Sequence, residues 1–236
     1  RCSDGVIVSS EQCREFICRR HSVPVQRIAV IHQAAPEAYL QTPAPPMSRD
    51  RLARLLYVGH LAFFKGVHVV ARVVDELLAD HPEMQFSWVC DVRQHAEALG
   101  MLGPGVRSRA RMIPWRDQSD LMRVYDEHGV FLATPFLGGF FKAFLEAMSR
   151  GMCVVGHRSC GMRDLIRDKE NGMLVDIGAA HDMAQAAAWL AARPDQAVRM
   201  STAARECALQ FSWDRVGRET AAFYERLLDM KRGARA

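Results

Sequence analysis

A glycine turn between a predicted strand and a predicted helix supplies the residues best suited to bind a charged ligand. Residues 132–148 read LATPFLGGFFKAFLEAM, in which an apolar run ends at Pro135 and Gly138 and Gly139 precede a helical pattern. The first N–H groups of a helix have no intrahelical partner and lie at the positive end of its dipole, so they can bind phosphate. Glu146 lies roughly two turns further on, where a carboxylate would reach a ligand's hydroxyl groups. Such a junction is also common in ordinary α/β architecture.

Two further loops carry similar chemistry. Residues 59–66 read GHLAFFKG, so that the ammonium group of Lys65 and the free N–H groups of the next helix could share one phosphate group. Residues 159–161 read SCG and follow the apolar run at 152–156. Ligands of parallel α/β sheets bind at the carboxyl ends of the strands. Together the loops point to a phosphate-containing ligand, with solvated helix starts as the alternative.

Apolar strand-like runs alternate with amphipathic helical patterns. Strands are predicted at residues 5–9, 27–32, 55–59, 84–90, 110–113, 130–133, 152–156 and 172–175. Helices are predicted at residues 11–20, 67–79, 93–99 and 120–127, and throughout 182–231. This order predicts right-handed βαβ units and therefore an α/β fold, with a Rossmann-like parallel sheet flanked by helices.

Composition limits the class of partner. The apolar share of 49% and charged share of 25% are those of a soluble globular protein. A net charge of +4 is too small to indicate a nucleic-acid partner, but it suits anionic small substrates or contact with an acidic membrane surface. The seven cysteines include no C-x-x-C pair, and no acidic triad or histidine cluster indicates a metal site. We expect a cytoplasmic protein, with peripheral contact at the inner membrane face left open.

Several short motifs occur in a recognisable order. They are Gly59-His60-Leu61 with Lys65-Gly66, residues 135–148 with Gly139-Phe140 and Leu145-Glu146-Ala147-Met148, residues 151–155 (GMCVV), residues 160–164 (CGMRD), residues 171–175 (NGMLV), and Phe211-Ser212-Trp213. From residue 55 onward the chain therefore resembles the C-terminal, donor-binding half of retaining glycosyltransferases of the GT-B fold, the family 4 type (glycosyl transferases group 1). Residues 1–35 resemble the last strand, helix and strand of the same enzymes' N-terminal domain.

The resemblance implies a division of the chain. Residues 1–35 would be a partial N-terminal, acceptor-side domain segment, and the Pro-rich residues 36–50 a linker. Residues 51–210 would be the donor-binding domain, and residues 211–236 a helix that returns toward the N-terminal domain. Because the chain begins at Arg1 inside a patterned segment, we expect it to be a fragment truncated at its N-terminus.

The resemblance also implies a reaction, the transfer of a sugar from a nucleotide-diphosphate sugar to an unidentified acceptor with retention. No metal and no cofactor would be needed, and this chain would supply the donor-binding half, inactive without its partner domain. Lys65 and Glu146 would be the catalytic pair, assisting diphosphate departure and anchoring the ribose. The donor-binding set would be Gly59, His60, Lys65, Ile113, Trp115, Gly138, Gly139, Phe140, Phe141 and Glu146.

Three departures from the family pattern fall within this set. Gly138 stands where the family's E-x7-E motif has its first acid. His60 replaces an arginine that grips the diphosphate, and Phe141 replaces a glycine. A degenerate, non-catalytic nucleotide-sugar-binding or scaffolding domain is therefore the alternative. A dehydrogenase-type domain is disfavoured because no G-x-G-x-x-G follows the first strand of the main sheet.

Overall fold

The computed structural model describes residues 3–233, which form two parallel sheets and their flanking helices. The strands are β1 (Val6–Val8), β2 (Ile28–Val30), β3 (Arg54–Val58), β4 (Gln85–Cys90), β5 (Ala110–Pro114), β6 (Val130–Ala133), β7 (Cys153–His157) and β8 (Met173–Val175). β1 pairs with β2, and the others form a six-stranded sheet in the order β5-β4-β3-β6-β7-β8. The predicted Rossmann-like parallel sheet is therefore confirmed.

Helices cover both faces of the large sheet. They are α1 (Glu11–His21), α2 (Glu37–Gln41), α3 (Arg49–Leu52), α4 (Val67–Asp80), α5 (His95–Gly100), α6 (Gln118–Glu127), α7 (Lys142–Ser149), α8 (Cys160–Leu165), α9 (Ala180–Ala191), α10 (Pro194–Ala208) and α11 (Trp213–Gly233). The predicted helical C-terminal part is divided into three helices by short breaks at residues 192–193 and 209–212.

Burial of the central strands on both faces explains their uniformly apolar sequences. Every residue of β6 (VFLA) and of β7 (CVVGH) is buried. In α4, valines and leucines at helical spacing turn one face toward the sheet. Parallel sheets covered by helices on both sides have this composition. The consecutive strands β3, β4 and β5 run outward from the centre in one direction, whereas β6, β7 and β8 run outward in the other. The order therefore reverses between β3 and β6.

The unit β1–α1–β2 is attached to the main domain through Asp164. Ser10 caps α1 by accepting a hydrogen bond from the backbone N–H of Cys13 at 3.3 Å. The Asp164 carboxylate accepts from the backbone N–H of Glu11 at 2.9 Å, and its Oδ2 lies 3.0 Å from Nε2 of His32. One largely buried carboxylate therefore joins α1 and the end of β2 to α8.

Residues 36–50, which we call the crossover segment, are bound tightly to the main domain. The segment contains α2, whose Tyr39 is buried. Because the prolines of the segment lack N–H donors, its carbonyl groups need partners from other parts of the chain. Arg150 donates to the carbonyl oxygens of Tyr39, Thr42 and Pro43 at 3.2, 2.7 and 2.9 Å. Further donations come from Arg51 and Arg205 to the carbonyl oxygens of Pro45, Pro46, Leu40 and Thr42. The crossover segment is thus an ordered part of the structure.

Candidate functional site

The loop after β3 is fastened to the segment after β6. Gly66 has a φ of +69°, and a Cβ atom at this position would overlap the carbonyl oxygen of Thr134. The Thr134 hydroxyl donates to the carbonyl oxygen of Lys65 at 2.8 Å, and the N–H of Phe136 donates to that of Phe64 at 2.9 Å. Since these loops leave neighbouring strands at the point where strand order reverses, they lie where doubly wound folds bind ligands.

The Lys65 ammonium lies against two aromatic rings. Its Nζ is 4.8 Å from the ring centroid of Phe141 and 5.5 Å from that of Phe64. Burial lowers the pKa of Lys65, an effect that Cys160 partly opposes. Cation–π contacts of this kind are weaker than charge-assisted hydrogen bonds, so a phosphate group would compete effectively for the ammonium. Phe141 therefore supplies a ring beneath Lys65 where the family pattern has a glycine.

The glycine turn lies just before α7. Gly138 has a φ of +149°, a conformation that side chains disfavour, and a Cβ atom there would meet open space. The helix itself begins at Lys142, and no side chain caps its first N–H groups. These donors are therefore available to a ligand. Phe140, in contrast, packs against His32 and Phe144, with ring centroids 5.9 and 5.1 Å away.

Glu146 lies on the second turn of α7 and is partly buried. Its Oε2 accepts a hydrogen bond from the Tyr125 hydroxyl at 2.8 Å. Burial raises the pKa of Glu146, while the hydrogen bond from Tyr125 and the charge of Lys142 lower it. A carboxylate held through one oxygen can offer the other to a sugar hydroxyl.

Two of the predicted donor-binding residues, His60 and Trp115, lie together, whereas Ile113 lies in the core. The rings of His60 and Trp115 have centroids 4.9 Å apart, and Trp115 is 39% exposed. Ile113 is buried in the core, so it could contribute to a site only through its backbone. Gly59 is held in the sheet, where its N–H donates to the carbonyl oxygen of Val89 at 3.0 Å. The side chains of His60 and Trp115 are therefore accessible to a ligand at this edge of the sheet.

A large apolar cavity lies on the other side of the glycine turn. Its volume is about 880 Å³, and its walls come from β1, α1, the segment after β2, the glycine turn, Lys142 and the start of α11. Trp213 is 55% exposed and lines this cavity. His157, the last residue of β7, is buried, and its ring stacks on that of Phe136 with the centroids 5.6 Å apart.

Sequence patterns missed Tyr125, Phe64 and Lys142. Lys142 could have been recognised as a cation in the first turn after the glycine turn. Tyr125 gave no such signal, because its pairing with Glu146 joins residues of two different helices.

Within residues 3–233, no helix combines the length and apolar character needed to cross a membrane. No group of three or more His, Cys, Asp and Glu side chains there is arranged to hold a metal ion.

The doubly wound sheet places the chain among Rossmann-like α/β proteins. Residues 53–193 match the model of the glycosyl transferases group 1 family, and the chain belongs to that family. It corresponds to the C-terminal half of the GT-B fold.

Relatives and solved structures agree with this assignment. The D-inositol 3-phosphate glycosyltransferase of Corynebacterium glutamicum (strain R) is 25% identical, over 94% of this chain and 57% of the relative. The chain thus spans about half the length of the curated relatives it matches. The structure of a mutant of S. aureus TarM in complex with Fondaparinux, alpha-GlcNAc-glycerol and UDP has a TM-score of 0.80 at 17% identity, over 94% of this chain and 44% of TarM. That of Anabaena Alr3699/HepE in complex with UDP-glucose has a TM-score of 0.78 at 19% identity, over 97% of this chain and 65% of HepE.

Proposed function

We propose that this chain binds the donor of a retaining glycosyltransferase, which transfers a sugar from a nucleotide-diphosphate sugar to an acceptor. The observation that carries the proposal is the placement of the Lys65 ammonium against Phe141, which closes the segment between the glycine turn and α7, with Glu146 further along α7. All three lie within residues 53–193, the part that matches the family. The complexes of TarM with UDP and of HepE with UDP-glucose support a uridine nucleotide as the first probe.

Each group has a distinct proposed role. Lys65 and the N–H groups around Gly138, Gly139 and Phe140 would stabilise the negative charge that develops on the departing diphosphate. The Glu146 carboxylate would accept hydrogen bonds from the ribose hydroxyls. In this proposal the transfer needs no metal ion and no cofactor besides the donor.

The remaining parts of the proposal concern the rest of the enzyme. Residues 1–35 would belong to an N-terminal domain, and the 880 Å³ cavity would lie at the junction with that domain. The acceptor, whether glycan, lipid or small molecule, would bind there. We propose a cytoplasmic site of action with peripheral membrane contact, and no turnover by this chain alone, since closure of two domains excludes water.

A non-catalytic nucleotide-sugar-binding domain is the second candidate. The observation that favours it is Gly138, which has no side chain at the position of the family's first acid and has a φ of +149°. Such a domain would bind the nucleotide through Lys65 and Glu146 but would make no hydrogen bond from this position to the sugar.

The proposal is tested by calorimetric titration of this chain with UDP-glucose, UDP and pyrophosphate. We expect all three to bind at one shared site, with UDP tighter than pyrophosphate because only UDP presents ribose hydroxyls. Equal affinity for UDP and UDP-glucose would favour the non-catalytic candidate. No binding of any of the three would contradict the proposed function.

His60→Arg should tighten UDP binding about tenfold, which corresponds to about 1.4 kcal/mol. The change replaces an imidazole with a guanidinium, whose positive charge is fixed and which can still stack on Trp115. Pyrophosphate affinity should rise in parallel, because the new contact is with the diphosphate. Unchanged affinity for both ligands in calorimetry would mean that position 60 faces away from the phosphates.

A further inference from the structure

The hydroxyl group of Tyr125 is buried and is directed at the candidate ribose-binding carboxylate. Tyr125 lies on α6, and its Oη is 2.8 Å from Oε2 of Glu146 on α7. Burial, followed by the negative charge of Glu146, raises the pKa of Tyr125 well above its ordinary value. The hydroxyl therefore stays protonated and acts as a permanent donor to Glu146.

The crossover segment supports Tyr125 from the other side. The rings of Tyr39 and Tyr125 meet edge to face, with centroids 5.9 Å apart. The Tyr39 hydroxyl donates to the carbonyl oxygen of Gln118, the first residue of α6, at 2.8 Å. Arg150 fixes the carbonyl oxygen of Tyr39 itself at 3.2 Å. A continuous set of contacts thus runs from the crossover segment through Tyr39 and Tyr125 to Glu146.

We infer that Tyr125 is the positioning residue for Glu146, holding one carboxylate oxygen so that the other faces the ribose hydroxyls of the ligand. The packing of Tyr39 on Tyr125 makes the crossover segment part of this support. The inference rests on the ribose-binding role proposed for Glu146 and extends it to a residue outside the family motifs.

The electrostatic consequence follows from the groups around Glu146. The Tyr125 hydroxyl on α6 and the charge of Lys142 on α7 act on Glu146, and the charge of Glu146 acts on Tyr39 of α2. Asp126, which follows Tyr125 in α6, is paired with Arg150 at the end of α7, and Arg205 of α10 donates to the carbonyl oxygen of Ser149. Burial raises the pKa of Glu146, and the Tyr125 hydrogen bond is the first influence that opposes it.

Loss of the Tyr125 hydroxyl should therefore raise the pKa of Glu146. An ionised carboxylate only accepts hydrogen bonds, whereas a protonated one uses one oxygen as a donor. The ionised form is therefore the better partner for two ribose hydroxyls. Binding of a ribonucleotide is then strongest above that pKa and weakens as the pH falls through it. In Tyr125→Phe this weakening should begin at a higher pH.

The test is calorimetric titration of Tyr125→Phe with UDP and with pyrophosphate across the acidic to neutral pH range. We expect UDP affinity on the acidic side to fall about tenfold relative to the unmodified protein, as loss of one charge-assisted hydrogen bond implies. The midpoint of the pH profile should move upward, and pyrophosphate affinity should not change. Tyr224→Phe is the control, because it makes the same chemical change at an exposed tyrosine of α11, away from Glu146. Its pH midpoint should equal that of the unmodified protein.

A double-mutant cycle distinguishes the loss of the Tyr125–Glu146 contact from a general loss of folding. In a Glu146→Gln background, Tyr125→Phe should have no further effect on UDP affinity, since position 146 no longer ionises. If UDP binding had the same pH midpoint in Tyr125→Phe as in the unmodified protein, the positioning role would be overturned while the proposed function would stand. An additive effect in the double mutant would also overturn the positioning role. Absence of UDP binding by the unmodified protein would instead overturn the proposed function.

Discussion

Arg150→Ala should lower the free energy of unfolding by about 3–5 kcal/mol, the usual cost of removing one partner from a buried ion pair. The guanidinium is fully buried, and its Nε and Nη2 donate to the two oxygens of Asp126 at 2.7 and 2.9 Å. It also satisfies three carbonyl groups of the crossover segment, in a stretch where prolines supply few internal donors. Without the guanidinium, the buried carbonyl oxygen of Tyr39 and the partly buried carboxylate of Asp126 would lose their donor.

Urea denaturation followed by circular dichroism measures this loss. Arg111→Ala is the control, because Arg111 is exposed and its closest carboxylate contact, to Glu127, is 3.8 Å long. Removing such a surface pair should change the free energy of unfolding by about 1 kcal/mol or less. A similarly small change for Arg150→Ala would contradict the role of Arg150 as the main clamp of the crossover segment.

Lys65→Ala should weaken the binding of nucleoside diphosphates by about 10- to 150-fold. This factor corresponds to the loss of one charge-assisted contact, which is worth about 1.5–3 kcal/mol of binding free energy. Lys65 is the cation that the loop after β3 presents beside the glycine turn, and burial already lowers its pKa, so its ammonium would gain from a phosphate partner. UDP and pyrophosphate should lose affinity by the same factor, because both carry the diphosphate.

Calorimetry with UDP gives the measurement for this variant. Lys169→Ala, which removes an exposed lysine from the loop before β8, keeps the same net charge as Lys65→Ala and should leave the affinity unchanged. Equal affinities of Lys65→Ala and Lys169→Ala for UDP would show that Lys65 does not bind the diphosphate.

Local patterns were sufficient to predict the sheet and the loops at its edge. The strand-like runs that predicted β3, β6 and β7 are mainly apolar stretches, since a strand buried on both faces is composed mostly of apolar residues. The loops containing Lys65 and Gly138 could be placed at one edge because every parallel strand ends on the same side. These features depend on residues that are neighbours in sequence.

Contacts between distant residues were not predictable in this way. Prolines indicated a linker at residues 36–50, but the arginines that bind its carbonyl groups lie in other elements, at positions 51, 150 and 205. The pairing of Tyr125 with Glu146 likewise depends on how α6 packs beside α7. Ile113 was expected among the donor-binding residues, and its side chain lies in the core.

The measurement that tests the central claim most directly compares UDP and pyrophosphate binding to Glu146→Gln. The substitution keeps the size of the side chain but removes the negative charge that accepts from the ribose hydroxyls. We expect UDP affinity to fall about tenfold, as the loss of a charged acceptor implies, with pyrophosphate affinity unchanged. Lys65→Ala, measured in parallel, should weaken both ligands. An equal loss of both ligands in Glu146→Gln, or no loss of either, would contradict a site in which Glu146 binds the ribose and Lys65 the diphosphate.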